Sequence, residues 1–464
     1  MRDERARVAG ESTRSGRFVL VAIGGIVVLG AAAGLLLLPP AVGLAAALAL
    51  VPLVALAFAI LRKPLLGVLL IYVLEYYRPQ DFIGALESFR LPFLTTIGVF
   101  LLFVVRVIRD PKHIVVWPRQ ATTLAVLVAF MAFSVLTSIN NYWAFEFWRG
   151  MTLTLMLFLL TVNIVERSSQ TRKLIGVLLV AHVVLCVKGA AQYLLGNRFG
   201  TTGMVGGNFL GDENDFALAL IVIFPFAYFA MTAARSTGKK ILWALVTLFF
   251  LVTIVLTMSR GGFIGIAATI VVCWLRSPHK AAGAFVLALL VGTVALLAPP
   301  EYFEEIRSIK QTDEGTAHKR REYWIAGLRM YAEKPLIGVG PGNSKLYMSQ
   351  YVDLPHANQQ WGRAMHGTLP LLLAEMGTIG LLLYVVLGFQ CAGDLRTAAR
   401  ARGPDERETS YVRYLERATG TSFVGFLVGS AFLSALYYPH IYVLASLAVI
   451  ARRLAARAER GDGP

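Results

Sequence analysis

Apolar blocks recur along this chain, most of them roughly 17 to 22 residues long, which is the length a helix needs to cross about 30 Å of hydrocarbon. They form continuous runs with few charges, not amphipathic stripes. The sequence therefore predicts an all-α polytopic membrane protein with about 12 to 14 transmembrane helices. The blocks lie near residues 18–38, 41–61, 65–75, 93–108, 121–139, 150–165, 172–195, 214–232, 241–257, 262–277, 281–298, 367–390, 420–437 and 440–452.

The net charge of +16 would suggest a nucleic-acid partner in a soluble protein. Here the basic residues flank the apolar blocks on alternate loops, and by the positive-inside rule those loops face the cytoplasm. We therefore expect no nucleic-acid partner, and both termini in the cytoplasm. The basic loops cover residues 62–63, 106–119, 167–173, 235–240, 276–280, 396–417 and 452–460.

The charge pattern divides the chain into segments. Residues 1–17 are polar and basic, and the block that follows them is too long for the apolar region of a signal peptide, so we expect a retained first span. The predicted segments are a cytoplasmic tail at 1–17, an N-terminal transmembrane bundle at 18–298, an external loop at 299–365, C-terminal transmembrane helices at 366–452 and a cytoplasmic tail at 453–464.

The external loop at 299–365 is the longest polar stretch, and we place the function there. Trp324, Leu328 and Tyr331 have helical spacing, which predicts a helix from about residue 317 to 332. The glycine-rich segment 335–343 predicts turns where the backbone can approach a ligand closely.

Cationic residues near the outer ends of spans are candidate ligand-binding groups, because an ionisable group at membrane depth is costly. Arg260 lies between two spans, where a guanidinium can bind a phosphate group through two hydrogen bonds. Lys188 and Arg149 could add positive charge to the same outward-facing cavity. The alternative for these residues is an ordinary side chain that reaches from the membrane to water.

The predicted loop helix begins with a second basic cluster, Arg320 and Arg321, followed by Tyr323 and Trp324. A solvated basic face is the usual meaning of such a run. The positive-inside rule does not require basic residues on this side of the membrane, however, and the neighbouring aromatic rings could stack on a sugar.

Three further residues could take part in acid–base chemistry or support it. His366 begins the span after the loop, and histidine is the side chain best suited to accept a proton near neutral pH. Glu375 follows nine residues later. Asp215 lies in the segment 211–216, whose spacing also suits a helix N-cap. The alternative is that His366 is an ordinary polar residue at the membrane boundary, without a catalytic role.

No metal or cofactor is expected. His356 and His366 are ten residues apart without a carboxylate at ligand spacing, and the sequence has no compact cysteine–histidine cluster. The three cysteines lie in or beside apolar segments, where they serve as small apolar side chains. A phosphate-binding loop of the Walker type is also absent from the sequence.

A cationic pocket with a candidate base and flanking aromatic residues suits one class of reaction. Arginines would hold the diphosphate of a lipid-linked sugar and neutralise the charge that develops on it as it leaves. The base would deprotonate an acceptor hydroxyl, which would attack the anomeric carbon. A single displacement of this kind inverts the anomeric configuration.

The order of these motifs resembles the O-antigen ligase and O-antigen polymerase superfamily, over about residues 210–390. The resemblance rests on Ser259-Arg260-Gly261, on Arg320 with Trp324, on Pro335-Leu336-Ile337-Gly338-Val339-Gly340, and on His366 with Glu375 and Gly377. The segments 211–216 and 75–79 further resemble the O-glycosylation ligase branch associated with exosortase systems.

This resemblance implies a metal-independent, inverting transfer of a glycan from undecaprenyl diphosphate to a lipid A-core sugar or another glycan. The reaction would take place on the periplasmic side of the bacterial inner membrane. By matching positions, His366 would be the general base, and Arg260 and Arg320 would bind the diphosphate. One departure is Gly367, since the family histidine is often followed by Asn or Ser.

Other functions compete with the ligase. A polymerase shares these motifs and extends a second lipid-linked glycan instead. A transporter or flippase predicts titratable residues at the bilayer midplane and pseudo-symmetric halves, whereas here the charges cluster outward. A scaffold in a polysaccharide export complex would, like a transporter, tolerate the loss of His366.

Overall fold

The computed structural model describes residues 54–77, 90–110, 114–194, 210, 212–277, 280–297, 316–354 and 357–461. These residues form helices joined by turns, with no strand among them. The predicted N-terminal tail, the first apolar block, most of the second, part of the 75–79 motif and the first part of the external loop lie outside the described residues.

The helices follow one another along the chain, and residues 54–62 are helical as well. They are α1 (Pro64–Tyr77), α2 (Leu91–Arg109), α3 (Arg119–Thr137), α4 (Asn141–Ile164), α5 (Ser168–Leu194), α6 (Glu213–Ala233), α7 (Thr237–Leu256), α8 (Arg260–Arg276), α9 (Lys280–Leu297), α10 (Thr316–Glu333), α11 (Ser344–Tyr351), a 3₁₀ turn (Ala357–Gln360), α12 (Thr368–Ala399), α13 (Glu406–Ser430) and α14 (His440–Arg460).

Seven helices among the described residues are long and apolar enough to cross a membrane, namely α2 to α7 and α12. The chain is therefore an all-helical, multi-pass membrane protein, as predicted. Shorter helices also fall on predicted blocks. With 14 residues, α1 spans only about 21 Å at 1.5 Å per residue, which is less than the hydrocarbon thickness.

Helix α6 is the most enclosed of the spans and packs between α7, α8 and α13. Small residues permit these close approaches, as they commonly do between membrane helices. The Ser422 hydroxyl of α13 donates to the Val222 carbonyl at 2.6 Å, and the Tyr414 hydroxyl donates to the Phe226 carbonyl at 3.1 Å. These contacts fix α13 against α6.

The C-terminal helices differ from the predicted blocks. Helix α12 runs to Ala399 and α13 begins at Glu406, so the predicted basic loop 396–417 is largely helical. The block 420–437 is helical only to Ser430, and residues 431–439 form turns. Helix α14 continues to Arg460 because its basic residues find partners: Arg452, for example, pairs with Asp394 at 2.9 Å.

Candidate functional site

Helix α12 is broken in its N-terminal third, at Gly377, where φ is 60° and ψ is −159°. The loop segment 335–343 lies along this break. The amides of Val339 and Gly340 donate to the carbonyls of Ala374 and Glu375 at 2.8 and 3.0 Å. In the opposite direction, the Thr378 amide donates to the Pro335 carbonyl at 2.8 Å. The loop therefore pairs backbone groups that the break would otherwise leave unbonded.

The glycines of segment 335–343 allow close packing: Gly338 lies against α12, Gly340 against Ser138 and Gly342 against Phe147 of α4. Gly338, Gly340 and Gly342 all have positive φ, and a Cβ on any of them would collide with protein atoms. A Cβ on Gly377 would lie 2.5 Å from the Leu336 carbonyl carbon. In the structure these glycines pack against other parts of the chain, and the approach of this backbone to a ligand stays a prediction.

Glu375 lies beside the break and is only 2% exposed. Its carboxylate accepts hydrogen bonds from the amides of Gly342 and Ser344, at 2.8 and 3.2 Å, and from the Ser344 hydroxyl at 2.6 Å. The Tyr437 hydroxyl donates to it at 2.6 Å. Glu375 therefore ties the loop, the broken helix and the 431–439 turn together.

His366 precedes α12 in a strained backbone conformation, with φ at 52°. Two contacts hold it there. The His366 amide donates to the Ser434 hydroxyl at 3.0 Å, and its carbonyl accepts from the Trp324 indole at 3.1 Å. Strain that the surrounding structure maintains is common at functional sites, so this residue is the centre of the candidate site.

Gly367, the departure from the family pattern, is explained by this contact. Its backbone is extended, with φ at −166°. A Cβ at this position would lie 2.5 Å from the Trp324 indole nitrogen. Here a glycine lets the indole reach the His366 carbonyl, where Asn or Ser would displace the ring.

The surroundings of His366 lower its pKa below the ordinary value of 6.5. Burial is the largest cause, and the positive charges of Arg320 and Arg363 act in the same direction, whereas the negative charge of Asp212 raises the pKa. The imidazole is thus neutral near pH 7 and able to accept a proton. The same interactions show that Arg320 and Asp212 lie near His366.

Arg260 is the first residue of α8 and is partly buried. The preceding Ser259 caps α8 by accepting from the Gly262 amide at 2.9 Å, and its hydroxyl donates to Asn214 at 2.7 Å. Asn214 in turn donates to Asp212, at 2.8 Å. A short chain of hydrogen bonds therefore joins the start of α8 to Asp212, whose negative charge raises the pKa of His366.

The turn at residues 431–439 contributes side chains that the sequence analysis did not select. Ser434 holds His366, Tyr437 holds Glu375, and the Tyr438 hydroxyl donates to Asp215 at 2.6 Å. The available signal was the pair of tyrosines between two apolar blocks. Asp212 caps α6 by accepting from the Asn214 amide, as the segment 211–216 predicted.

The remaining predicted residues occupy different places. Tyr323 is 7% exposed, and its hydroxyl donates to Gln360 at 2.7 Å, so it supports the loop. Arg321 is exposed beside Arg320.

Lys188 lies over the Tyr77 ring at 4.6 Å from its centroid. Arg149 pairs with Glu146 and lies over the Phe93 ring. A shared role of Lys188 and Arg149 with His366 stays a prediction.

Among the described residues, no group of three or more histidine, cysteine or acidic side chains is arranged to hold a metal ion. The three cysteines are buried and unbonded to one another.

Residues 243–385 match the sequence model of a family described as O-antigen ligase (Wzy_C). The matched region runs from α7 to α12 and contains Arg260, Arg320, His366 and Glu375. A search of curated proteins finds no match. The family match confirms the resemblance that the ordered motifs indicated.

Proposed function

We propose that this chain, a membrane enzyme of the glycosyl-transfer type with an O-antigen ligase domain at residues 243–385, transfers a glycan from undecaprenyl diphosphate to an acceptor hydroxyl. In the ligase reaction the acceptor is lipid A-core. The observation that carries this proposal is His366, whose backbone is strained and whose imidazole has a pKa lowered by burial and by the charge of Arg320. The other partner is the bilayer itself.

In the proposed reaction, His366 acts as the general base. The neutral imidazole accepts the proton of the acceptor hydroxyl while the hydroxyl oxygen forms a bond to the anomeric carbon. The bond between that carbon and the diphosphate oxygen breaks, and the diphosphate leaves with the electron pair. One displacement inverts the anomeric centre, and the proton on His366 is later released to water.

The arginines act on the leaving group. Arg260 and Arg320 would bind the diphosphate and offset the negative charge that grows on it in the transition state. Arg321, Lys188 and Arg149 are proposed to add positive charge. No metal or nucleotide takes part in this proposal, because the guanidinium groups perform the charge neutralisation.

The remaining site residues position this chemistry. Trp324 holds the His366 backbone, and Glu375 holds the loop against α12. Asp215 anchors Tyr438, and Tyr323 fastens α10 to the 3₁₀ turn. We propose that this assembly faces the periplasm from the inner membrane, with both termini in the cytoplasm.

A polymerase is the second candidate, because the domain and the proposed base serve both reactions and only the acceptor differs. The transporter, flippase and scaffold alternatives are disfavoured, since the family match is to an enzyme domain that includes His366.

The test is reconstitution of the purified protein with an undecaprenyl-diphosphate glycan, in chelator and without nucleotide. Lipid A-core and a second lipid-linked glycan are offered as separate acceptors, and the product distinguishes a ligase from a polymerase. We expect His366→Asn to lose about 10²-fold or more of the rate. Asparagine tolerates the left-handed backbone of position 366, so the protein should keep its fold.

The control is His318→Asn, which removes a partly buried histidine from the same helix as Arg320. It should retain wild-type activity. Transfer by His366→Asn at the wild-type rate would contradict the general-base role.

A further inference from the structure

Four basic side chains line one pocket at the end of the molecule opposite the candidate site. Arg62 and Lys63 directly precede α1, Arg106 lies in the last turn of α2, and Lys173 lies in the second turn of α5. The pocket has a volume of about 360 Å³, which falls in the range of about 300–1,000 Å³ typical of ligand sites. We call it the basic pocket.

The basic pocket lies where the ends of four helices converge. Helix α1 packs against α2, α4 and α5, and the pocket is formed by the N-termini of α1 and α5 and the C-termini of α2 and α4. Beside it, Arg457 of α14 donates to the Glu166 carbonyl at 2.6 Å. Seventeen residues of α14 separate Arg457 from His440, which follows the 431–439 turn of the candidate site. This corresponds to about 26 Å at 1.5 Å per residue, so the pocket is distinct from that site.

The cations of the basic pocket lack the protein partners that other basic residues at this end have. Ion pairs between helices are common here, namely Arg119–Asp394, Arg452–Asp394, Arg172–Glu408 and Arg276–Glu416. In the part of the chain that the structure describes, none of the four pocket cations has a carboxylate within ion-pair distance. Glu166 lines the pocket as well, but its carboxylate pairs with Arg457 at 3.7 Å. Four like charges therefore face one cavity, where an anion would offset their repulsion.

The neutral polar groups of the lining are already bonded to the protein. Asn163 accepts from the Val116 amide at 2.7 Å and donates to the Val116 carbonyl at 3.0 Å. The Gln170 side-chain oxygen accepts from the amides of Glu166 and Arg167 at 2.8 and 3.0 Å. The groups of the basic pocket that are left to bind a ligand are thus its cations.

Apolar side chains adjoin these cations. Leu65, Phe103 and Ile164 line the pocket, and a small apolar recess that includes Leu61 and Leu102 continues from Phe103 and Ile164. A free phosphate ion gains nothing from such a wall, whereas the head group of a lipid is joined to glycerol and acyl chains that do. The lining therefore favours a lipid over a soluble anion.

From its charge, lining and position we infer that the basic pocket binds the phosphate head group of an anionic phospholipid. Guanidinium and ammonium groups are common partners of phosphate oxygens, and basic pockets between membrane helices on the cytoplasmic side suit such head groups. In the proposed orientation this end of the molecule meets the cytoplasmic leaflet, whose anionic lipids give it a negative surface potential. The bound lipid would hold the short helix α1 against its neighbours. This inference does not depend on the transfer reaction.

Thermal unfolding of the purified protein in detergent tests this inference. Phosphatidylglycerol should raise the melting temperature of wild type by about 5 °C, because it binds the folded state, whereas phosphatidylethanolamine with the same acyl chains should not. Arg62→Gln combined with Arg106→Gln should lose more than half of that rise. Both arginines are exposed, so without added lipid this double variant should be at least as stable as wild type.

The matched control combines Arg400→Gln with Arg402→Gln, which removes two exposed positive charges at the same end of the molecule, outside the pocket lining. It should keep the full response to phosphatidylglycerol. Inorganic phosphate and glycerol 3-phosphate are added to separate samples, because a site for a soluble anion would respond to them as strongly as to the lipid. Such a response, or a lipid response of Arg62→Gln/Arg106→Gln equal to that of wild type, would overturn the inference.

A second measurement locates the lipid directly and does not rely on stability. A benzophenone amino acid replaces Leu65, which lines the pocket, in nanodiscs with equal amounts of phosphatidylglycerol and phosphatidylethanolamine, each radiolabelled in turn. We expect crosslinks at position 65 to favour phosphatidylglycerol about fivefold, and Arg62→Gln with Arg106→Gln to abolish that preference. The reference position is Leu136 on α3, which is 77% exposed and should show no preference. Equal crosslinking of the two lipids at position 65 with both arginines present would overturn the assignment.

Discussion

A single residue, His366, carries both a strained backbone and a charged environment. Its amide and carbonyl are fixed by Ser434 and Trp324, which belong to different segments of the chain. Charges of opposite sign act on the pKa of its imidazole: Arg320 and Arg363 lower it and Asp212 raises it. The position of the ring and its affinity for protons are therefore set by separate groups, and they can be altered separately.

The pH dependence of transfer should follow these charges. With His366 as the base, kcat/KM falls as the pH drops through the pKa of the free enzyme, which lies below 6.5. Arg363→Gln removes a positive charge, so the imidazolium form becomes less costly and the pKa of His366 rises. The fall of kcat/KM on the acid side of the profile, the acid limb, then moves to higher pH. Asp212→Asn removes a negative charge and should move the limb to lower pH. The measurement is kcat/KM against pH for both variants.

Arg402→Gln is the control for these profiles, because Arg402 is exposed in the turn between α12 and α13 and should leave the acid limb unmoved. Shifts of the same sign in Arg363→Gln and Asp212→Asn would show that a group other than His366 controls the limb.

Sequence patterns identified Arg260, His366 and Glu375 as candidates because ionisable groups are costly at membrane depth, and Arg320 because a basic cluster was not expected in the external loop. They could not identify Ser434 or Tyr437, because spacing along a chain does not reveal which residues meet across helices. The need for a glycine at position 367 likewise depends on an indole from α10, 43 residues earlier in the chain.

At the scale of elements, the broken helix α12 determines the architecture of the site. A break in a membrane helix exposes backbone groups that require new partners. Segment 335–343 supplies them, and the positive φ of Gly338 allows it to lie against α12. The sequence predicted the helix now seen as α10 and the irregular segment after it. It did not predict that this segment forms hydrogen bonds with the backbone of α12 at the break, because the break occurs inside a continuous apolar block.

Gly377→Ala should disrupt this arrangement. The backbone angles of Gly377 fall in a region that only glycine adopts readily, and a Cβ would lie 2.5 Å from the Leu336 carbonyl carbon. The cost of such strain is about 1–3 kcal/mol. We expect a melting temperature several degrees lower in detergent, and transfer reduced about tenfold. Both are measured on purified protein.

The comparison for Gly377→Ala is Gly98→Ala, since the added methyl group at position 98 meets no atom within 4 Å. That variant should keep both the melting temperature and the activity of wild type. If Gly377→Ala behaved like Gly98→Ala, the break in α12 would have no role in the site.

At the scale of the whole molecule, charged residues bind the helices together at the end opposite the candidate site. Asp394 is 2% exposed and pairs with Arg119 of α3 and Arg452 of α14, at 2.7 and 2.9 Å. Arg172 of α5 pairs with Glu408 of α13 at 3.3 Å. Several residues of the predicted basic loops, Arg119, Arg172 and Arg452 among them, therefore form ion pairs between helices.

The proposed orientation can be tested by labelling introduced cysteines. The three native cysteines are buried and should not react with the label. Asp353 is exposed just after α11, in the same loop segment that precedes His366, and Arg402 is exposed in the turn between α12 and α13. An impermeant maleimide added to intact spheroplasts should label Asp353→Cys, whereas Arg402→Cys should react only after the membrane is opened. Both variants should label equally in detergent. Labelling of Arg402→Cys in closed spheroplasts, with Asp353→Cys protected, would place His366 on the cytoplasmic side and separate it from any periplasmic acceptor.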